Sequence, residues 1–373
     1  MKVKYFKPDI LSSMNPPIIT VGQIVQAYMP VDRTDIFNPF NMVYEPIPTT
    51  ENFNKTFEEC SMEAAKNLWQ LGKPIELFWS GGIDSSGALI ALLETKSETD
   101  VLNIRYTQDS IDEFPLMWER LVKHRNDPLS SKEMLTNDLF ENHDIIKITG
   151  ECGDQCFGSD ALHKNLHRHS DDWESIFTWD KEEIFHFIFM LDGSVPPLED
   201  HTFQKKKEAL AEVLFEHVDN APIEIKTIFD IYWWMNFCFK WHDVDSRMIF
   251  TFSTTAEWES TISFFNTENF QKWSIVNHDI KHGGTWETYK QPAKEYINKY
   301  IKDETYRKNK TKEPSLIKIL SGSIDGEYDY AYRKARRQMP ERIKLVLEDG
   351  RSWRNKDKVP RDIRKELGLY KNV

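Results

Sequence analysis

The chain has no apolar run long enough to cross a bilayer. Its longest apolar stretches, such as Ile184–Leu191, run about eight residues and carry His186, whereas a membrane-spanning helix needs ~20. The start, Met-Lys-Val-Lys-Tyr-Phe-Lys-Pro, lacks the apolar core of a secretory signal. Cysteine is scarce. Four residues, Cys60, Cys152, Cys156 and Cys238, stand at irregular spacing, which excludes a disulfide framework and fits a reducing cytoplasm. No Gly-Lys-Ser/Thr occurs, so a Walker A phosphate loop is excluded. Internal repeats and low-complexity segments are absent as well. A net charge of −12 argues against a surface that clings to nucleic acid as a whole.

What the chain does have is an anion cradle written into one short stretch. Ile75-Glu-Leu-Phe is an apolar run suited to a buried strand. It leads through Trp79 into Ser80-Gly81-Gly82-Ile83-Asp84-Ser85-Ser86 and then Gly87-Ala-Leu-Ile-Ala-Leu-Leu-Glu94, a strong helix former. Paired glycines let backbone approach a phosphate closely and reach positive φ. The first amides of the helix point at the same anion, with the helix dipole behind them. The three serines add hydroxyl donors, and Asp84 is a candidate Mg²⁺ ligand. The plainer reading is a tight strand-to-helix turn.

A second segment has the same grammar. Asp144-Ile-Ile-Lys-Ile-Thr149-Gly150 reads as a short strand ending in glycine, followed by Glu151-Cys-Gly-Asp154-Gln-Cys-Phe-Gly158. In open α/β sheets, ligands bind at the carboxyl ends of strands. Two carboxylates among glycines at such an end suit a shared metal (Asp154 with Asp84) and a proton acceptor (Glu151). The plainer reading is an acidic turn.

Together these motifs resemble a known family. Ser80-Gly-Gly-Ile-Asp-Ser-Ser86 is similar to the pyrophosphatase loop of the N-type (PP-loop) ATP pyrophosphatases. Gly150-Glu-Cys-Gly-Asp-Gln-Cys-Phe-Gly158 resembles the second signature of the asparagine synthetase branch, usually Gly-Glu-Gly-x-Asp-Glu-x-Phe-Gly. Two weaker echoes follow. Glu259–Asn266 is similar to that branch's Glu-x-Arg-x-Pro-Phe-x-Asp, and Lys290-Gln-Pro-Ala-Lys294 to its Lys-x-x-x-Arg. The resemblance spans about residues 70 to 315. Cys152 stands for a glycine, Gln155 for an acid, Thr261 and Ser263 for Arg and Pro, and Lys294 for Arg. Glutamine-dependent members begin with a nucleophilic cysteine at position two, where this chain has Lys2. About seventy residues precede the cradle, too few for a glutaminase domain.

The resemblance implies an α/β fold with an adenine-nucleotide α-hydrolase-like (PP-loop, HUP-type) parallel sheet and a mostly helical C-terminal portion. It implies ATP and Mg²⁺ as cofactors. A carboxylate oxygen would attack the α-phosphorus of ATP, and ammonia or an amine would displace AMP from the acyl-adenylate, leaving an amide. Residues 80 to 86 would hold pyrophosphate, and Asp84 and Asp154 the metal. By the same resemblance Lys290 would balance phosphate charge and Glu151 would manage the amine proton, as catalytic residues. Trp79, Ile104, Thr149 and Gly150 lie where the family packs adenosine. The acid is open: aspartate, a peptide carboxylate or another metabolite. Without a glutaminase the nitrogen would come as ammonia, as an amine, or from an ammonia-delivering partner.

The pattern divides the chain into a small strand-containing N-terminal module (residues 1–55), the synthetase-like domain (56–330) and a basic tail (331–373). A helix is expected over 56–72, with Phe57, Met62, Ala65 and Leu68 near one face. Strand 75–79, helix 85–95, strand 101–106, helix 113–123 and strand 144–148 then alternate, as in a parallel α/β core. Beyond residue 160 the composition turns helical, with segments at Asp180–Met190, Lys205–His217 and the aromatic Ile228–Lys240, whose spacing is that of a core helix. His163, His167 and His169 have a metal-like spacing but no completing Cys or carboxylate, and read as a solvated helix face. Cys152 and Cys156 read as small buried side chains rather than a redox pair.

From Arg333 onward there are fourteen Lys/Arg against six Asp/Glu, or +8. A solvated tail, or one folded on the acidic body, is the plain reading; a docking arm for an acidic or nucleic-acid partner is the sharper one. Two other functions compete with amide formation. One is a nucleic-acid-modifying enzyme that adenylates a base oxygen, favoured by the tail. The other is a nucleotide-binding subunit without turnover, favoured by Cys152 and Gln155.

Overall fold

The computed structural model describes residues 33, 46–122, 131–133, 144–158, 215–242, 244, 260–283 and 287–310. The expected helix at Asp180–Met190, all but the end of that at Lys205–His217, the three histidines, most of the N-terminal module and the basic tail lie outside them. The chain divides into two compact units: Met1–Ile47 with Gly158–Phe250 and Pro340–Val373, and Pro48–Phe157 with Thr251–Met339.

The second unit is built on a five-stranded parallel sheet. Its strands are β1 (Ile75–Phe78), β2 (Leu102–Tyr106), β3 (Ser131–Glu133), β4 (Ile146–Thr149) and β5 (Thr261–Ser263), in the order β3-β2-β1-β4-β5. The chain first builds outward from β1 to β3 and then returns to the other side of β1 with β4. That reversal falls between β1 and β4, and the carboxyl ends of strands at such a switch point are where open α/β sheets bind ligands. Register fixes how the two ends meet: Ile75 lies beside Ile146 and Leu77 beside Ile148. Trp79 N–H donates to the Arg105 carbonyl at 2.8 Å and extends the β1–β2 ladder by one residue.

The two faces of the sheet differ in chemistry. Ile75, Leu77, Leu102, Ile104, Ile146 and Ile148 alternate onto one face and are all buried. The other face carries Glu76, Asn103, Arg105, Lys147, Thr261 and Ser263. Glu76 and Arg105 pair there at 2.9 Å with almost no exposure. Parallel strands are usually apolar on both faces. Here a buried charge is tolerated because its counter-ion arrives from the neighbouring strand.

Two helices flank this core. Helix α1 (Phe57–Trp69) starts at a capping box in which Thr56 and Glu59 satisfy each other's backbone amides. It buries Phe57, Cys60, Ala64, Ala65 and Leu68, a stripe at helical spacing. Met62, expected on that face, is half-buried. Helix α2 (Ile83–Thr95) buries Ile83 and every residue from Ser85 to Leu92, as a helix inside a unit must. The helix expected over 113–123 is interrupted. Helix α3 (Gln108–Glu113) stops at Phe114, which takes φ −139° and ψ 70°. The cause is Pro115, which disfavours helical backbone before it. A short turn over Pro115–Met117 and a π-helical stretch over Trp118–Val122 follow.

Downstream come the short helix α4 (Gly153–Phe157) and then, in the first unit, α5 (Ile228–Met235), which continues as a π-helical stretch over Asn236–Lys240. Ile231, Tyr232, Met235 and Phe239 are buried, as their helical spacing predicts for a core helix, and so are Phe229, Trp233, Trp234 and Phe237 on its other sides. The second unit closes with α6 (Glu268–Val276), α7 (Gln291–Ile301) and α8 (Glu304–Asn309). Among the described residues no helix is long and apolar enough to cross a membrane.

Candidate functional site

The first elbow leaves β1 as a turn wired by its own hydroxyls. Ser80 N–H donates to Ser85 Oγ at 3.1 Å, the two hydroxyls lie 3.0 Å apart, and Gly82 N–H donates to Ser80 Oγ at 3.3 Å. Gly81 has φ +76°, the left-handed region that favours glycine. Gly82 is the N-cap of α2 and offers no side chain to its first amides, which leaves them for an anion. Ser86 is fully buried and accepts from Trp79 Nε1 at 3.1 Å.

The second elbow, after β4, presses against the first. A Cβ on Gly150 would come within 3.0 Å of Ser85 N, and one on Gly153 within 2.5 Å of Asp84 Cγ. Only bare backbone fits there. Cys152 holds φ 65°, the conformation for which glycine is the usual residue.

Lys290 comes to both elbows from 206 and 136 residues away in sequence. It sits in left-handed backbone, φ 59°, at the N-cap of α7. Its Nζ donates to Asp84 Oδ1 and Oδ2 at 2.6 and 2.5 Å and to Asp154 Oδ1 at 2.8 Å. Phe157 and Tyr289 present their rings to the ammonium at 5.7 and 5.8 Å. The lysine side chain is 1% exposed, against 20% for Asp84 and 24% for Asp154. The structure brings together the two carboxylates expected to share Mg²⁺, and the positive group between them is the Lys290 ammonium.

The chain matches no family model, no curated protein and no solved structure.

Among the described residues no group of three or more His, Cys, Asp or Glu is placed to hold a metal ion. Two carboxylates nonetheless fit Mg²⁺, which is commonly held by one or two carboxylates, with phosphate oxygens and water completing its shell. Asp84 and Asp154 would be those ligands.

The other expected residues fall into two sets. Thr149 and Gly150 are part-buried at the β4 end, where the Thr149 hydroxyl accepts from Glu151 N–H at 3.4 Å. Glu151 itself is exposed on the turn. Trp79 and Ile104, expected beside adenosine, are core side chains at 0% and 1% exposure. Trp79 braces the elbow through Ser86; Ile104 lies beside Leu77 within the sheet. Cys152 and Cys156 are buried and not joined in a disulfide. Burial pushes the Cys156 thiol far up, so it stays protonated and is a poor nucleophile.

A brace around Gly81 went unread in the sequence. Tyr306 donates its hydroxyl to the Gly81 carbonyl at 3.4 Å and stacks on Phe114 with ring centroids 3.7 Å apart. Burial raises the Tyr306 phenol well above its ordinary value, so it remains a neutral donor. Glu113 and Lys310 pair at 2.9 Å beside it, both largely buried. Tyr306 and Lys310 stand far from the cradle in sequence and carry no motif; no local signal announces them.

One turn after Lys290, Lys294 is fully buried and donates to the Glu287 carbonyl at 2.5 Å. Burial, with the charges of Lys290 and Lys310, lowers its pKa from 10.5 to about 8. The unfolded chain keeps that proton up to 10.5 while the folded chain releases it near 8. The cost of burying the charge, on the order of 3 kcal/mol, is therefore fully present below pH 8. It is relieved as pH rises towards 10.5. Lys294→Met removes the charge and one hydrogen bond. The variant is expected to be about 1–2 kcal/mol more stable than the parent at pH 7. Its advantage should vanish by pH 10.5 in urea melts across that range. A constant difference at all pH values would refute the ionisation argument.

Proposed function

We propose that this chain is an ATP-dependent, AMP-forming carbon–nitrogen ligase of the asparagine synthetase-like kind, built on a PP-loop core. It adenylates a carboxylate, releases pyrophosphate and passes the acyl group to ammonia or an amine. The observation that carries the proposal is the convergence of Asp84 and Asp154 on one positive centre at the switch point of a parallel sheet. Two acidic elbows that meet around one positive centre suit a divalent ion shared on a polyphosphate. The left-handed Cys152, standing where the resembled signature carries glycine, supports the reading further.

Mg²⁺, when bound, would neutralise charge on the departing pyrophosphate and orient it. The chain's own groups do the rest. Backbone amides at Gly82 and the start of α2, together with the Ser80 and Ser85 hydroxyls, hold the phosphate oxygens in a preformed site. Asp84 and Asp154 hold the cation. Lys290 supplies a positive charge that is already desolvated, and so acts more strongly than one in water. Glu151, exposed on the turn, accepts the proton that the attacking amine loses. A peptide carboxylate or a small acid such as aspartate would be the donor.

The test is ATP–pyrophosphate exchange with the full chain against a panel of carboxylic acids. One acid should support exchange and, with ammonia or an amine, yield amide and AMP. Lys290→Ala should lower exchange by at least ~10²-fold, the scale of losing one preorganised charge-stabilising group. Glu151→Ala should spare exchange and slow amide release, because its task follows adenylation. Exchange and amide release at parental rates in both variants would refute these roles.

A further inference from the structure

We infer that the Lys290 ammonium is an internal stand-in for the divalent cation, and that metal and polyphosphate enter together by displacing it; the inference rests on the nucleotide-site reading above. One positive centre touches both oxygens of Asp84 and one oxygen of Asp154, at 2.5 to 2.8 Å. That is the position a divalent ion shared by the two elbows would take.

Burial points the same way. Lys290 is 1% exposed and the carboxylates at least 20%, so the ammonium occupies the protein side of the pair. A buried ammonium is stable only with acceptors. A free metal ion would have to strip Lys290 of those acceptors and leave its charge stranded beside a dication. A polyphosphate removes the obstacle by offering the ammonium other oxygens. The carboxylates then exchange a single positive charge for a double one, and the added negative charge of the phosphates balances the sum. Metal alone and polyphosphate alone are therefore poor ligands, and each raises the affinity of the other by the same factor.

The full-length chain is titrated with Mn²⁺, free ion being read by electron paramagnetic resonance. Each titration is run with and without α,β-methylene-ATP, which cannot release pyrophosphate. In the parent, the analogue should tighten Mn²⁺ binding at least about tenfold. In Lys290→Met, Mn²⁺ alone should bind roughly ten- to a hundredfold tighter than in the parent, the equivalent of the charge-assisted bonds no longer broken. Adding Asp154→Asn to that variant should erase the gain. Equal Mn²⁺ affinity in the parent and Lys290→Met overturns the inference. Should Lys290→Met fail to fold, Lys290→Gln replaces it, and the parent remains decisive: an analogue that binds the parent yet leaves its Mn²⁺ affinity unchanged also overturns the inference. A gain in Lys290→Met with no analogue binding in either protein upholds the stand-in and refutes the nucleotide reading. Analogue binding without the gain does the reverse.

Discussion

Gly153→Ala is expected to cost at least ~10²-fold in ATP–pyrophosphate exchange while leaving the fold nearly intact. The added Cβ would fall 2.5 Å from Asp84 Cγ and within 2.9 Å of both its oxygens. A Cβ does not come so close to nonbonded atoms, so something must move. The neighbour is the end of a half-buried side chain rather than backbone, and the carboxylate swings away. Asp84 then leaves the shared cation position. A displacement of about 1 Å in a positioning group is enough for a loss of ~10². Stability should change by less than about 1 kcal/mol, since alanine is a better helix residue than glycine at the start of α4 and Lys290 keeps Asp154. Exchange kinetics and a urea melt on the same preparation read the two quantities separately. Parental exchange in this variant would remove Asp84 from the reacting set.

The expected separation of the two effects reflects how the site is assembled. Each elbow is local and legible. Strand, glycine pair and helix former follow one another within a few residues, so the sequence around Ser80–Ser86 announces its turn, and the Gly150–Gly158 stretch does the same. Their meeting is not local. It follows from the strand order, which puts β4 beside β1 although β2 and β3 intervene in the chain. Turn grammar carries no information about that order; in the sequence it rested on the likeness of the two motifs to a known pair. Lys290 is further still from local inference. Its left-handed backbone and its contacts depend on where α7 docks.

Other features were hidden for a different reason. The stretch Ile75-Glu-Leu-Phe reads as an apolar strand, and nothing in it says that Glu76 will be buried against Arg105 of the next strand. Trp79 sits next to the cradle and looks available to a ligand. Its indole N–H instead finds Ser86 and seals the ring into the core, because a buried tryptophan needs a hydrogen-bond partner. Adjacency in sequence to a site does not decide which way a side chain turns at a strand end. The alternation of β1 continues through Trp79, and the continuing ladder to Arg105 holds it in that phase.

Gly81→Ala should do what Gly153→Ala does not, and unseat the fold around the cradle. Its Cβ would lie 2.4 Å from the Ser110 carbonyl oxygen and 2.9 Å from Glu113 Cβ. The nearest atom here is backbone, and that backbone is fixed. Thr107 and Ser110 cap α3 reciprocally, Phe114 is stacked under Tyr306, and Glu113 is tied to Lys310. The residue also needs φ +76°, which costs a non-glycine residue about 1–2 kcal/mol by itself. Strain and overlap together should lower stability by about 3–5 kcal/mol, the range reserved for a few severe mechanisms. Exchange should be lost with it, because the Ser80–Ser85 wiring depends on that turn. Gly87→Ala is the control. Nothing lies within 4 Å of its Cβ and its φ is ordinary, so alanine in mid-helix should stabilise by roughly 0.5–1 kcal/mol. Urea melts of the three proteins decide the matter: Gly81→Ala and Gly87→Ala shifting the midpoint alike would mean that the turn is not braced by Ser110 and Tyr306 at all.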